Sequence, residues 1–443
     1  MNKNTTIIFK GPMNARAGYG SRSRDLAHVL IDSGYDVKFE FINWGSTPND
    51  VLDPGNLKDK LILDQRVNTP FKPDIYIQCT IPTEFEPKGK FNIGITAGIE
   101  TDTCHPDWIE GCNKMDLILT SSEHSKKVFQ NMEYQKRDRK TDEVVGLLKL
   151  VTPVEVLFEG IDPTIFKKLD KSKLADKATT PLYRSLSEIP NDFCFLFVGH
   201  WLQGNIGHDR KDIGMLIHTF LNTFKQVKSS KTSVNNLPAL ILKTSSAGFS
   251  TLERYNIEDK IRLIEQGAFD NDPKCIFPPI YFLSGDLTDT EMNDLYNHRK
   301  VKASVSFTKG EGFGRPLLEF TTTGKPVIAS NWSGQLDYLN TAHSWLLPGK
   351  VSKVDMSATN QWIIPDSSWF TVNYQFAAQM LNNCYKNYQT FLAKSEGHIK
   401  ISEKFSLSNM AKQLNDYIAK SEEYLGSQNK VINKKIILDD LLG

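Results

Sequence analysis

The sequence predicts an α/β protein of two domains, and three observations carry that prediction. Short apolar runs of strand length alternate with amphipathic helical stretches almost throughout, the pattern that gives parallel sheets with helices on both faces. The chain has 443 residues, beyond the roughly 250 to 300 at which one hydrophobic core stops growing. The alternation breaks at a polar stretch, 167–191, rich in Lys, Ser, Thr and Pro, a composition that fits an interdomain linker.

The first domain is expected over 1–166. A strand at 5–9 leads through a loop at 11–20, which holds Gly11, Gly18 and Gly20, into an amphipathic helix at 21–33 and a strand at 37–42. Further strands follow at 74–78, 91–96 and 117–120. Between 133 and 144 both charge signs crowd together without an apolar period, so an exposed loop is expected, with Lys136, Arg137, Arg139 and Lys140 as its basic half. The second domain, 192–405, has strands at 193–199, 239–243, 280–283, 303–307 and 326–330, and helices at 212–225, 289–297 and 316–323. In the C-terminal segment, 406–443, Leu407, Met410, Leu414 and Ile418 fall at helical spacing, which predicts a helix packing back outside the second sheet. Two α/β domains of this kind are expected to face a cleft, with ligands at the carboxyl ends of the strands.

Composition narrows the function classes. Hydrophobic residues make up 40% and charged residues 24%, so the chain has the apolar content to fold. Lys and Arg number 53 against 52 Asp and Glu, a formal net charge of +1; a nucleic acid or anionic membrane would have to be met by a local patch. No apolar run reaches the roughly 20 residues that span a bilayer, and residues 1–10 lack a signal-peptide pattern, so a cytoplasmic protein without integral membrane association is expected. The six cysteines form no Cys-x-x-Cys pair. Cys104, His105 and Cys112 do not have the spacing of a zinc site, and no metal is expected.

The run with the most chemistry in it is Gly310-Glu311-Gly312-Phe313-Gly314-Arg315-Pro316-Leu317-Leu318-Glu319, after one predicted strand and before a predicted helix. Its glycines let the backbone approach a ligand closely and aim N–H groups outward, a helix start behind them favours an anion such as phosphate, and Pro316 suits a first helical turn. Glu311 and Glu319 bracket the run. Each carboxylate offers two acceptor oxygens, which suits the vicinal hydroxyls of a ribose or a sugar.

Glu311, seven residues, then Glu319, with EGFG at the head and TGKPVIASNWSGQLDYL behind, resembles the donor-binding signature of retaining glycosyltransferases of family 4, which have the GT-B fold of two Rossmann-like domains. GYGSRSRDLAHVL, EVLFEGIDPTIF and FLFVGH with DRKDIGMLIHTF line up with the same family in the same order. The resemblance implies a transferase that moves a sugar from a nucleotide diphosphate sugar, a uridine nucleotide on family frequency, to an acceptor hydroxyl, with no metal and no separate cofactor. It implies that Glu319 binds the ribose, that Glu311 binds hydroxyls of the transferred sugar, and that Gly312, Phe313 and Gly314 act through backbone N–H groups, with Arg315 beside the sugar. Lys211 matches the family's diphosphate-neutralising lysine, whereas His200 stands where an arginine is expected. Arg210, or less favourably Lys243, is the candidate replacement, because charge developing on a leaving group needs fixed counter-charge. Asp286 and Leu287 fall beside the nucleobase.

In the first domain the resemblance brings Gly18 and Gly20 to the donor or acceptor. Glu100 stands where many relatives have a histidine, with His105 a little further on. GYGSRSRDLA is also similar to glycosyltransferases encoded by large bacteriophages, which makes a hydroxymethylated pyrimidine of DNA an alternative acceptor to a glycan or another soluble hydroxyl. A nucleotide-sugar-binding protein without turnover is a further alternative, raised by His200 and the missing histidine.

Overall fold

The computed structural model describes residues 5–67, 71–138, 140–170, 180–246 and 250–442, with side chains to 428. The chain divides into two compact units: Met1–Gly98 with His105–Gly160 and Leu407–Gly443, and Ile99–Cys104 with Ile161–Ser406. Each is an α/β unit built on a six-stranded parallel sheet.

In the first unit the strands β1 (Thr6–Gly11), β2 (Asp36–Phe41), β3 (Ile75–Cys79), β4 (Phe91–Thr96) and β5 (Leu117–Thr120) are followed by a hairpin of β6 (Glu133–Arg137) and β7 (Val144–Lys149), and then by β8 (Val154–Val156). The sheet order is β2-β1-β3-β4-β5-β8. β1, β3 and β4 are buried along nearly their whole length because helices cover both faces, which is why they read as continuous apolar runs. The hairpin corrects the loop expected at 133–144. Its strands pair antiparallel from Glu133↔Lys149 to Arg137↔Val144, and a mostly exposed two-stranded ribbon has no buried face to impose an apolar alternation.

The C-terminal helix, Leu407–Leu442, belongs to this first unit, which corrects its expected place outside the second sheet. Met410, Leu414 and Ile418 lie in the first core beside Ile7, Leu26 and Leu30, each such burial worth about 1.5 to 3 kcal/mol. Helical spacing defines an apolar stripe without naming the sheet it covers. The local cause is Gly160, where a Cβ would come within 2.8 Å of Leu407 Cα; only glycine lets the helix start so close.

In the second unit the strands are β9 (Cys194–His200), β10 (Gln226–Val227), β11 (Ala239–Ser245), β12 (Cys275–Ile276), β13 (Ile280–Leu283), β14 (Val301–Ser306), β15 (Val327–Ser330), β16 (Trp345–Leu347), β17 (Gly349–Lys353) and β18 (Ser368–Val372). The large sheet runs β13-β11-β9-β14-β15-β16, the 3-2-1-4-5-6 order of a dinucleotide-binding domain. Helices Ile213–Phe224 and Tyr374–Lys386 bury Leu216, Phe220 and Leu381 in its core. The helix Asp289–Asn297 begins where expected because Thr288 and Glu291 form a reciprocal capping box. The polar stretch 167–191 contains a helix, Pro181–Glu188, that buries Leu182, Tyr183 and Leu186 in the second unit; its residues 171–179 lie outside the described ones.

Candidate functional site

The order of the second sheet selects the place. β9 neighbours β11 on one side and β14 on the other, so the chain leaves β9 and β14 in opposite directions, and the crevice at their carboxyl ends is the topological switch point where such sheets take ligands. The segment after β9 carries Arg210 and Lys211; the segment after β14 carries Gly310 to Gly314. Here the structure brings together residues a hundred positions apart. Lys211 Nζ contacts Glu311 Oε1, and Arg210 Nη1 lies 3.2 Å from Glu311 Oε2 and donates to the Gly310 carbonyl at 3.0 Å. Arg210 also lies 3.8 Å from Glu100, whose segment Ile99–Cys104 belongs to the second unit.

These groups are buried, so their charges matter more than surface charges do. Burial opposes ionisation of Glu311, yet Lys211 and Arg210 outweigh it and hold its carboxyl below the ordinary value. Burial depresses Lys211, partly offset by Glu311. For Arg210 burial is overcome by Glu100 and Glu311, and its pKa is raised. The result is a carboxylate held below its ordinary value between two basic side chains, Lys211 and Arg210.

The backbone of the loop is tightly constrained. A Cβ on Gly310 would sit 1.7 Å from the Glu100 carbonyl oxygen, and Gly314 takes a φ of +89° just before the helix Arg315–Thr321. Phe313 is buried, its ring 5.3 Å from that of Tyr338, so what Phe313 presents to a ligand is its backbone. On the short helix, Glu319 accepts from Tyr296 at 2.9 Å and pairs with Arg315 at 3.0 Å. Burial drives the Glu319 carboxyl up to about 7; Arg315 opposes the shift and Asp289 adds to it.

His200, at the end of β9, is pushed down to about 4 by burial and by Lys211 and Arg210, with its Nδ1 3.1 Å from Ser245 Oγ. It is neutral at physiological pH, and Arg210 is the second cation beside Glu311. Lys243 donates to the Gly285 carbonyl at 2.6 Å, tying the end of β11 to the loop that carries Asp286 and Leu287. That loop turns at Gly285, with φ +98°.

Gly18 and Gly20 are in the first unit, in the first turn of the helix Gly18–Asp32. A Cβ on Gly20 would meet the Ala15 carbonyl at 2.0 Å, whereas nothing lies within 4 Å of one on Gly18. His105 caps the helix Pro106–Cys112 by accepting from the Asp107 N–H at 3.2 Å. In the hairpin, Lys136 lies 3.6 Å from Glu110 and Arg137 3.2 Å from Asp142, so acids neutralise much of the basic half; Arg139 lies outside the described residues. None of the six cysteines forms a disulfide. Among the described residues no group of three or more His, Cys, Asp or Glu could hold a metal, and no helix is long and apolar enough to cross a membrane.

Several supporting residues carried no signal of their own. Ser333 Oγ accepts from the Glu311 N–H at 2.9 Å from a residue with φ +70°. Tyr338 donates to the Gly314 carbonyl at 2.6 Å. Both lie in the NWSGQLDYL stretch, where pattern alone assigns them nothing. Tyr296 faces Glu319 from the helix Asp289–Asn297, and nothing in the sequence pairs the two.

No family model and no curated protein sequence matches the chain. Solved structures do. Anabaena HepE in complex with UDP-glucose aligns with TM-score 0.58 at 12% identity over 94% of this chain and 100% of that one. Sucrose-phosphate synthase from Thermosynechococcus elongatus aligns with TM-score 0.60 at 13% identity, covering 94% and 99%. A glycosyltransferase from Rickettsia africae gives TM-score 0.57 at 14% identity, covering 95% and 99%. Identity this low makes the likeness one of fold, and the fold is GT-B: two Rossmann-like domains in one chain.

Proposed function

We propose that this protein is a retaining glycosyltransferase that binds a nucleoside diphosphate sugar in its second unit and passes the sugar to an acceptor hydroxyl. The observation that carries the reading is the convergence of Arg210, Lys211 and Glu311 at the switch point between β9 and β14. A diphosphate leaving group gains negative charge as the glycosidic bond to it breaks, and two fixed, buried cations are the counter-charge that step needs. Arg210 and Lys211 take that role without calling for a metal. Glu311 would accept hydroxyls of the transferred sugar, and Glu319 those of the ribose, close to the loop of Asp286 and Leu287 for the base.

Retention is the part of the reading that rests on the resemblance to the retaining glycosyltransferases of family 4. A uridine nucleotide is the favoured donor because HepE is a similar fold captured with UDP-glucose. Arg210 beside Glu311 favours the enzyme over the binding-only alternative on the count of His200; the missing first-domain histidine still motivates that alternative. Six cysteines outside any disulfide fit a reducing cytoplasm. A soluble glycan is the favoured acceptor; the neutralised charges of the hairpin give DNA no special support.

The test is release of free nucleotide from UDP-, GDP- and ADP-sugars, with mass spectrometry of a glycan panel and of hydroxymethylated DNA, and with Glu311→Ala as control. Transfer by the wild type alone is the expected result. A wild type that binds UDP-sugars yet turns none over across the panel would leave the binding reading standing in place of the enzyme.

A further inference from the structure

The two loops that meet at Glu311 are joined a second time, beneath the site. Lys309 Nζ lies 3.1 Å from Asp212 Oδ2 and donates to Thr371 Oγ1 at 3.0 Å, while the Tyr374 hydroxyl donates to the same Asp212 oxygen at 2.7 Å. The side chains of Lys309 and Asp212 are 2% and 0% exposed. Asp212 directly follows Lys211, and Lys309 stands two residues before Glu311. The Lys309 N–H also donates to the Arg210 carbonyl at 2.7 Å.

This junction is a poor device for stability alone. Asp212 occupies the left-handed region at φ +52°, unfavourable for any residue but glycine, though Asp and Asn tolerate it best. Its Oδ1 is buried without a hydrogen-bond partner. A buried ion pair returns little net stability, and apolar residues of similar volume often serve as well or better. What such a pair does supply is one fixed register between two segments. Here the segments carry the two cations on one side and the carboxylate on the other.

We infer that Asp212 and Lys309 are positioning residues, whose buried ion pair holds Arg210 and Lys211 in register with Glu311 and so aims both cations at the departing diphosphate. The inference rests on the glycosyltransferase reading above. The left-handed turn at Asp212 lets the chain present Arg210 and Lys211 to the crevice and enter the helix Ile213–Phe224 at once, and Asp209 supports that entry by accepting from the Ile213 N–H at 3.3 Å. Misalignment of the cations would be felt when charge develops on the leaving group, more than when the donor simply binds.

The test is the neutral double variant Asp212→Asn with Lys309→Met, assayed for kcat and KM of UDP release from the productive UDP-sugar, for UDP affinity by calorimetry, and for thermal midpoint. Positioning predicts a folded protein, KM and UDP affinity within about threefold of wild type, and kcat lower by about thirtyfold or more. Lys309→Arg, which keeps the pair, should hold kcat within about threefold. Asp212→Asn alone, which suits the left-handed turn and still accepts from Tyr374, covers the case in which the double variant does not fold; it should show the same split at reduced size. An unchanged kcat in either folded variant overturns the inference and leaves the enzyme reading intact. A wild type that neither binds UDP nor releases it from any UDP-sugar brings down that reading, and this inference with it.

Discussion

Glu311 and Glu319 stand at the two ends of one short signature and are both buried, yet their surroundings make them opposites. Glu311 sits in the loop against two cations and is held ionised; Glu319 sits on the helix against one, with a tyrosine hydroxyl and a neighbouring Asp, and its carboxyl rises to about 7. Burial acts the same way on both. The number of opposing charges decides the outcome: two cations exceed the desolvation penalty and one does not. Glu311 is therefore a permanent charge in the working range of pH, and Glu319 a titrating one.

The largest expected effect breaks the Glu311 side. Glu311 engages Arg210 and Lys211, the groups proposed to hold the diphosphate. Glu311→Gln should lower sugar transfer by about a hundredfold to a thousandfold, the range seen when a charge-stabilising group is removed from an active site. The same variant should bind free UDP more tightly, by roughly tenfold, because its cations lose an internal competitor. Steady-state kinetics paired with UDP calorimetry reads both. Weaker binding of both UDP and UDP-sugar would mean that Glu311 supports the site and does not compete for it. Next in size is Arg210→Met, expected to cost about a hundredfold in kcat with KM little changed; a loss confined to KM would make Arg210 a binding residue.

This contrast was only half legible in the sequence. The spacing of Glu311 and Glu319, the glycines between them and the strand-to-helix setting were all readable, because each reflects a local requirement of backbone or hydrogen bonding. The parallel sheets were readable because strands buried on both faces must be continuously apolar. The opposite states of the two carboxylates were not, since Arg210 and Tyr296 reach them through tertiary packing. The hairpin at Glu133–Arg137 and Val144–Lys149 escaped because an exposed ribbon needs no apolar alternation. The partner of the C-terminal helix escaped because a stripe of Leu407, Met410, Leu414 and Ile418 fits either sheet, until Gly160 is seen to admit Leu407.

On the other side of the comparison the effects are smaller. Glu319→Gln removes charge-assisted acceptance from the ribose, and each such bond contributes about 1.5 to 3 kcal/mol. UDP and UDP-sugar should both bind about tenfold or more weakly, with kcat at saturation nearly intact. A drop in kcat without loss of affinity would move Glu319 from the ribose to the reacting sugar.

The smallest effect is the most specific to Glu319. Its folded pKa of about 7 lies above the ordinary value of 4.5, so between those two pH values the folded chain binds more protons than the unfolded one. From this group, donor-free stability is greatest below about pH 4.5 and declines as pH rises through about 7. Donor affinity runs the other way, since only the ionised carboxylate accepts from both ribose hydroxyls: UDP should bind about tenfold more weakly at pH 6 than at pH 8. Asp209, also raised, to about 6 by burial and by Asp212, titrates nearby, but its contribution would survive in Glu319→Gln, whereas the Glu319 component would vanish. Tyr296→Phe, which removes a bond that favours the ionised form, should shift the midpoint upward by about half a unit. A midpoint that stays in place in Tyr296→Phe, or a slope that persists in Glu319→Gln, would assign the titration to another group and make the two carboxylates alike after all.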